Sequence, residues 1–223
     1  MFFPEKMASI MPNDKVLEIG PGASPHPRSN TFLELAFDTP EVKIAQRGGL
    51  PQDAVFGARP VYYYEGEKFP FDTGQFDYVI CSHVVEHVEN PVLFLEEIFR
   101  VAGGRGYLEY PLVTYEYLYN FKVHLNFVKF NHDEHALYFL PKTETAFNEF
   151  SDVSLFFNQM LSQGWDDLCA ANKPLFFEGF EFAQPFPLKK ATRIGDLLPP
   201  TAAIISKSRL RKLLGRVANR AGM

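Results

Sequence analysis

Short apolar runs alternate with polar punctuation through the first half of this chain. Residues 15–19 form one such run, broken by Gly20-Pro21-Gly22, and predict a buried strand that stops at a glycine turn. Residues 31–37 predict a second strand. Residues 58–64, rich in β-forming side chains and followed by the charged stretch 65–68, predict a third. A fourth, over 76–81, follows the turn signal Asp72-Thr73-Gly74, and a fifth, over 106–110, is closed by Pro111. Between the last two, Asn90 suits a helix N-cap and Pro91 the first helical position. Leu95, Ile98, Phe99 and Ala102 recur at helical spacing, and Gly103-Gly104 ends the helix. Strands separated by crossovers predict an α/β domain built on a parallel sheet.

The texture changes beyond Tyr115. Residues 124–130 and 136–140, on either side of the polar stretch 131–134, predict a β-hairpin, and residues 151–161 a helix. Residues 174–187 are Phe-rich and punctuated by proline, and the pattern assigns them no role. Three parts follow: a core over residues 1–115, a hairpin and helical region over 116–200 that completes the domain on the substrate side, and a basic tail over 201–223.

Composition adds compartment and partners. The chain has 23 Phe and 10 Tyr against one Trp; most of these rings belong to the core, and the surplus suits an apolar cleft or a subunit interface. Its two cysteines, Cys81 and Cys169, form no Cys-x-x-Cys pair and fit a reducing compartment. The first residues lack the pattern of a signal peptide, and no run approaches the roughly 18 apolar residues that span a bilayer. The expectation is a cytoplasmic protein without a transmembrane segment. Net charge is −5, yet from Ser206 onward there are six cations and no acid, so the remainder carries −11. That balance argues against a nucleic-acid partner except through the tail. Leu210, Leu213, Leu214 and Val217 share one helical face of the tail, a pattern able to touch an anionic membrane surface or a protein. A terminal helix packing on its own body is the plainer account.

Candidate chemistry begins at Gly20-Pro21-Gly22, where a ligand can approach the backbone closely. Dinucleotide sites use the same device, but they place a third glycine where this chain has Pro25, with Pro27 close behind. An acid at the end of the second strand can accept both hydroxyls of a ribose; Glu34 is the candidate and Asp38 its rival. Glu65-Gly66, at the end of the third strand, offers a carboxylate and an amide to an adenine edge, with Phe69 able to cover the ring.

These features, with residues 76–91, Phe69-Pro70-Phe71 and Arg105-Gly106-Tyr107-Leu108-Glu109-Tyr110-Pro111, resemble the class I S-adenosylmethionine-dependent methyltransferases over about residues 14–140. The chain looks closest to a branch with Ile-Gly-Pro-Gly, here Ile19 to Gly22, then Pro25-His26-Pro27-Arg28 and the segment Ser82-His83-Val84-Val85-Glu86-His87-Val88. The resemblance implies a Rossmann-like sheet and S-adenosylmethionine as cofactor, which has no pyrophosphate to hold. It implies that Glu18, Gly20, Pro21 and Gly22 line the methionine end of the cofactor. Glu34 would take the ribose and Glu65 and Gly66 the adenine, while Ser82 and His83 would flank the sulfonium. One departure is plain: nine residues separate Gly22 from Phe32, and two are proline, so the first crossover must be an abbreviated loop without the usual helix.

His83 is the best-placed titratable group for a general base, although a satisfied structural histidine explains it equally well; Tyr115 and Glu116 are candidates to line the acceptor pocket. The expected activity is methyl transfer to a small molecule or a glycan-type precursor. A non-catalytic S-adenosylmethionine-binding protein that serves a complex is the alternative. His83-Val84-Val85-Glu86-His87 also fits the His-x-x-Glu-His pattern of zinc hydrolases. That reading needs both histidines on one helix face and a third ligand, and barely one turn is available before Asn90. No metal is therefore expected.

Overall fold

The computed structural model describes residues 1–46, 55–65, 68–147 and 151–198. Five strands lie parallel: β1 (Val16–Ile19), β2 (Thr31–Leu35), β3 (Val61–Tyr64), β4 (Tyr78–Ser82) and β5 (Gly106–Pro111). Their order is β3-β2-β1-β4-β5, so the sheet grows leftward from β1 and then rightward from β4, the arrangement of a Rossmann-like fold. α1 (Pro40–Gln46) follows β2, α2 (Pro91–Ala102) lies between β4 and β5, and α3 (Val113–Tyr119) follows β5. The first crossover, residues 20–30, holds no helix, as its length requires.

α2 forms as its sequence dictates. The Asn90 side chain accepts the Leu93 amide, Pro91 opens the first turn, and Gly103 takes a left-handed conformation at the end. Phe94, Leu95, Ile98, Val101 and Ala102 bury one stripe against Leu17, Ile19, Val79, Cys81 and Leu108 of the sheet. The alternate residues Val16, Tyr78, Ile80 and Tyr107 point to the opposite face, where Phe3 and Tyr119 cover them.

β6 (Asn126–Asn131) and β7 (Ala136–Pro141) form the expected hairpin, and Val128, Phe130 and Leu137 join the α2 side of the core. α4 (Ser151–Met160), α5 (Asp166–Ala171) and α6 (Lys173–Phe176) then lead into β8 (Phe177–Phe182). This Phe-rich stretch, which the sequence pattern left without a role, adds a sixth strand to the main sheet, antiparallel to β5. Gly179 permits the pairing: a β-carbon there would stand 2.2 Å from the Tyr107 hydroxyl. β9 (Leu188–Lys190) pairs with β7 in a second, three-stranded sheet. Among the described residues no helix is long and apolar enough to cross a membrane. The basic tail lies outside the described residues.

Ile98 is 1 % exposed at the centre of the α2 contact. Ile98→Ala should cost about 2–5 kcal/mol of stability by leaving a cavity. The check is chemical denaturation, in which the midpoint falls while the slope is unchanged.

Candidate functional site

Strand register puts a set of polar side chains on one face at the carboxyl edge of the sheet. Glu18 pairs with Phe32 and Ile80, and two residues further along the same face stand Glu34, Ser82 and Glu109. β1 and β4 flank the point where strand order reverses, the place where open α/β sheets bind ligands. An open cavity of about 1540 Å³ lies there. Its wall includes Glu18, Gly20, Pro21, Gly22, Glu34, Glu65, Ser82, His83 and Tyr115, so one cavity gathers most of the residues singled out from the sequence. Gly66 lies outside the described residues. Asp38 is exposed at the rim, whereas Glu34 is 5 % exposed. Phe69 is 1 % exposed and packs edge-on against Tyr64 and Phe94, so its ring belongs to the core and not to the cavity.

The glycine turn is shaped by backbone conformation and by contact. Gly20 and Gly22 have φ of +58° and +59°, and a β-carbon on Gly20 would come within 2.7 Å of Val84. Beside Gly22 there is open space. The loop folds back over Glu18, whose carboxylate accepts the His26 amide at 2.8 Å, while Arg59 donates to the Ser29 carbonyl at 2.9 Å. Burial raises the pKa of Glu18 above the usual carboxylate range.

Glu109, on β5, is fully buried and accepts five hydrogen bonds. The donors are the amides of Phe2 (2.8 Å) and Phe3 (3.0 Å), the hydroxyls of Ser82 (2.9 Å) and Tyr107 (2.5 Å), and Nε2 of His83 (3.0 Å). His83 has φ of +57°, and its amide donates to the Glu109 carbonyl at 2.8 Å. Its Nδ1 stands 3.4 Å from Oε1 of Glu86. Burial would lower the pKa of His83, but Glu109 and Glu86 outweigh it and hold the ring at about 9. Burial works the other way on the two carboxylates, and their histidine neighbours outweigh it to hold each at about 2. The Phe2 ring stacks on Phe177 at 3.8 Å and meets His83 edge-on at 5.5 Å, closing one side of the cavity.

A second group stands on the far side of His83. The single turn Val85–His87 turns Glu86 inward, and the Leu125 amide donates to the Glu86 carbonyl at 2.7 Å. His87 and His124 meet ring to ring at 4.5 Å, and both line the cavity. Glu116, expected to line an acceptor pocket, is instead fully buried beneath it, where His124 and Lys142 both bind its carboxylate. His124 and Phe2 had no role expected from the sequence, Glu86 only one in the zinc pattern that was set aside, and Glu109 only a place in the motif 105–111. The one available signal was a carboxylate inside an apolar strand, Glu109 between Leu108 and Tyr110.

The family model described as a methyltransferase domain matches residues 35–109. The match covers about a third of the chain, and this likeness implies S-adenosylmethionine as cofactor. No curated protein matches the chain. Among solved structures, the chain is similar to an S-adenosylmethionine-dependent methyltransferase from Thermotoga maritima, at 21 % identity over 50 % of each chain with a TM-score of 0.33. One from Mesorhizobium loti shares 14 % identity over 46 % of this chain and 49 % of its own, with a TM-score of 0.32. One from Methanosarcina mazei shares 14 % over 59 % and 73 %, with a TM-score of 0.35. The likeness thus spans about half the length of the first of these.

Replacing Glu109 by Gln keeps the shape but sets an amide NH₂ among five donors. Glu109→Gln should cost about 1–3 kcal/mol and release the N-terminal segment. Hydrogen exchange would show this as lost protection at the amides of Phe2 and Phe3, with α2 still protected.

Proposed function

We propose that this protein transfers the methyl group of S-adenosylmethionine to a small molecule or a glycan-type precursor, with the cofactor lying across the carboxyl ends of β1, β2 and β4. The carrying observation is the cavity at the strand-order reversal, with its carboxylate-bearing floor, beside a stretch matched as a methyltransferase domain. The volume of about 1540 Å³ exceeds the roughly 300–1,000 Å³ of a typical small-molecule pocket, which suits a cofactor and an acceptor together.

The residues present suit a nucleoside that bears a sulfonium and an amino-acid tail. In this reading Glu18, Gly20, Pro21 and Gly22 take the methionine end, where the open space beside Gly22 lets the tail reach the backbone. Glu34 accepts the ribose hydroxyls, Glu65 and Gly66 meet the adenine, and Ser82 and His83 flank the sulfonium. The bound cofactor supplies an electrophilic methyl group; the protein holds the acceptor in line with it, which can itself provide most of the rate. His83 has a carboxylate at each ring nitrogen, so it acts here by fixing the end of β4 and not by collecting a proton from the acceptor. Tyr115 lines the acceptor side, and Glu116 serves it from beneath through His124. Both cysteines are buried and free, which supports a reducing, cytoplasmic setting.

Titration calorimetry with S-adenosylhomocysteine tests the reading. Binding should be measurable at micromolar ligand, and Glu34→Ala should weaken it roughly 10–100-fold, the loss of hydrogen bonds to a charged group. No binding at high micromolar ligand would sink the proposal. Binding without release of labelled methyl to any acceptor panel would favour a non-catalytic cofactor-binding protein.

A further inference from the structure

Glu86 is the anomaly of the site. Its side chain has no exposure to solvent, and among the described residues neither carboxylate oxygen has a hydrogen-bond partner. Buried carboxylates are ordinarily saturated with donors, because an unpaired one forfeits its hydration without compensation. Its nearest polar neighbours are imidazole nitrogens: Nδ1 of His83 at 3.4 Å and Nε2 of His87 at 3.9 Å. The first is an ion pair longer than an ordinary hydrogen bond, and the second is longer still. Oε1 thus faces the nitrogens of two imidazoles.

His87 and His124 are held in one manner. His87 places Nδ1 2.9 Å from Oε1 of Gln46, and His124 places Nδ1 against Oε1 of Glu116, itself fixed by Lys142. In each case Nδ1–H donates to an oxygen, which leaves the Nε2 lone pair free on the other side of the ring. This is how metal-binding histidines are oriented, with a carboxylate or carbonyl behind the ring fixing its tautomer. One ligand atom each from Glu86, His87 and His124 lies within 4.8 Å of the other two.

We propose that Glu86, His87 and His124 bind a divalent transition-metal ion, Zn²⁺ being the best match to two imidazoles and one carboxylate. Three protein ligands leave at least one position open. His87 and His124 line the same cavity as Ser82 and His83, so the ion would stand at the wall of the space that holds the acceptor in the methyltransferase reading. The ion accounts for Glu86 oxygens that no hydrogen bond engages, and for Glu116 reaching His124 as well as the buried Lys142. It also replaces the pairing weighed from the sequence: His83 is engaged by Glu109, and His124 supplies the second nitrogen. For catalysis, which rests on the methyltransferase reading, the site selects an acceptor with a hydroxyl oxygen to place on the ion. A hydroxyl so placed loses its proton to solvent more readily. Its oxygen lone pair then bonds to the methyl carbon as the carbon–sulfur bond breaks, and that bond's electron pair stays on sulfur.

The test uses the full chain without a polyhistidine tag, stripped with a chelator and then titrated with Zn²⁺ against a chromophoric competitor. One ion should bind per chain. His124→Ala and Glu86→Gln should each weaken binding by about 100-fold or more, beyond the roughly 10–100-fold typical of residues behind the ligands. His132→Ala, which removes an exposed histidine far from the site, should leave it unchanged. Co²⁺ in place of Zn²⁺ should give visible d–d absorption that His124→Ala abolishes. Thermal melts show whether each variant folds, and the near-isosteric Glu86→Gln decides the matter if His124→Ala does not. Absence of stoichiometric Zn²⁺, or wild-type affinity in a folded Glu86→Gln protein, overturns the proposal. S-adenosylhomocysteine titrated in parallel keeps the two readings apart: cofactor binding without metal overturns this inference alone, and metal without cofactor overturns only the methyltransferase reading.

Discussion

A carboxylate wholly removed from water near the end of β5 joins three parts of the chain, and the cavity depends on it. Glu109 draws the N-terminal amides of Phe2 and Phe3 across the sheet, fixes the Ser82 hydroxyl and the His83 ring at the end of β4, and takes the Tyr107 hydroxyl. An isolated carboxylate would not tolerate such burial; five donors make it stable and make the arrangement specific. The Tyr107 hydroxyl so held fills the space that a side chain at position 179 would occupy, and Gly179 lets β8 close beside β5. The sheet's last strand, its N-terminal cover and the wall of its cavity therefore share one hydrogen-bonded centre.

The fold was legible where local chemistry decides it. The runs that became β1, β4 and β5 are apolar and end at glycine, serine or proline, and α2 carries its own cap, first-turn proline and terminal glycine. β8 was not legible, because Glu178, Gly179 and Glu181 interrupt its apolar residues with charge and with a residue that has no side chain. Their justification is distant: Glu178 is bound by Tyr110, Lys129 and His132, and Glu181 by Ser9 and Tyr78. A charged residue in a strand reads as exposed until its partners are known.

The candidate site divides in the same way. Glu18, Gly20, Gly22, Glu34 and Ser82 could be placed because each sits at a strand end or in the turn after one, and strand ends in a parallel sheet converge. Glu116 was drawn toward the cavity on its position after β5, but the helical turn of α3 carries it inward to Lys142 and His124. His124 lies just before β6, and its meeting with His87 depends on how the hairpin docks, which no local pattern encodes.

Two buried carboxylates flank His83, and the difference between them separates scaffold from function. Both lie in the same low-dielectric pocket, and the same imidazole stands near both. Glu109 has its hydrogen bonds filled by parts of the chain that must be held together anyway, so its burial is explained by the fold. Glu86 holds none, while Glu116, Lys142 and Gln46 are arranged around its histidine neighbours so that their lone pairs are free. A fold with no use for Glu86 would be more stable with an uncharged side chain there, since the His83 ring at 3.4 Å replaces only part of the hydration that burial removes. Where a structure keeps such a group and also orients its neighbours, the missing partner is something the chain binds.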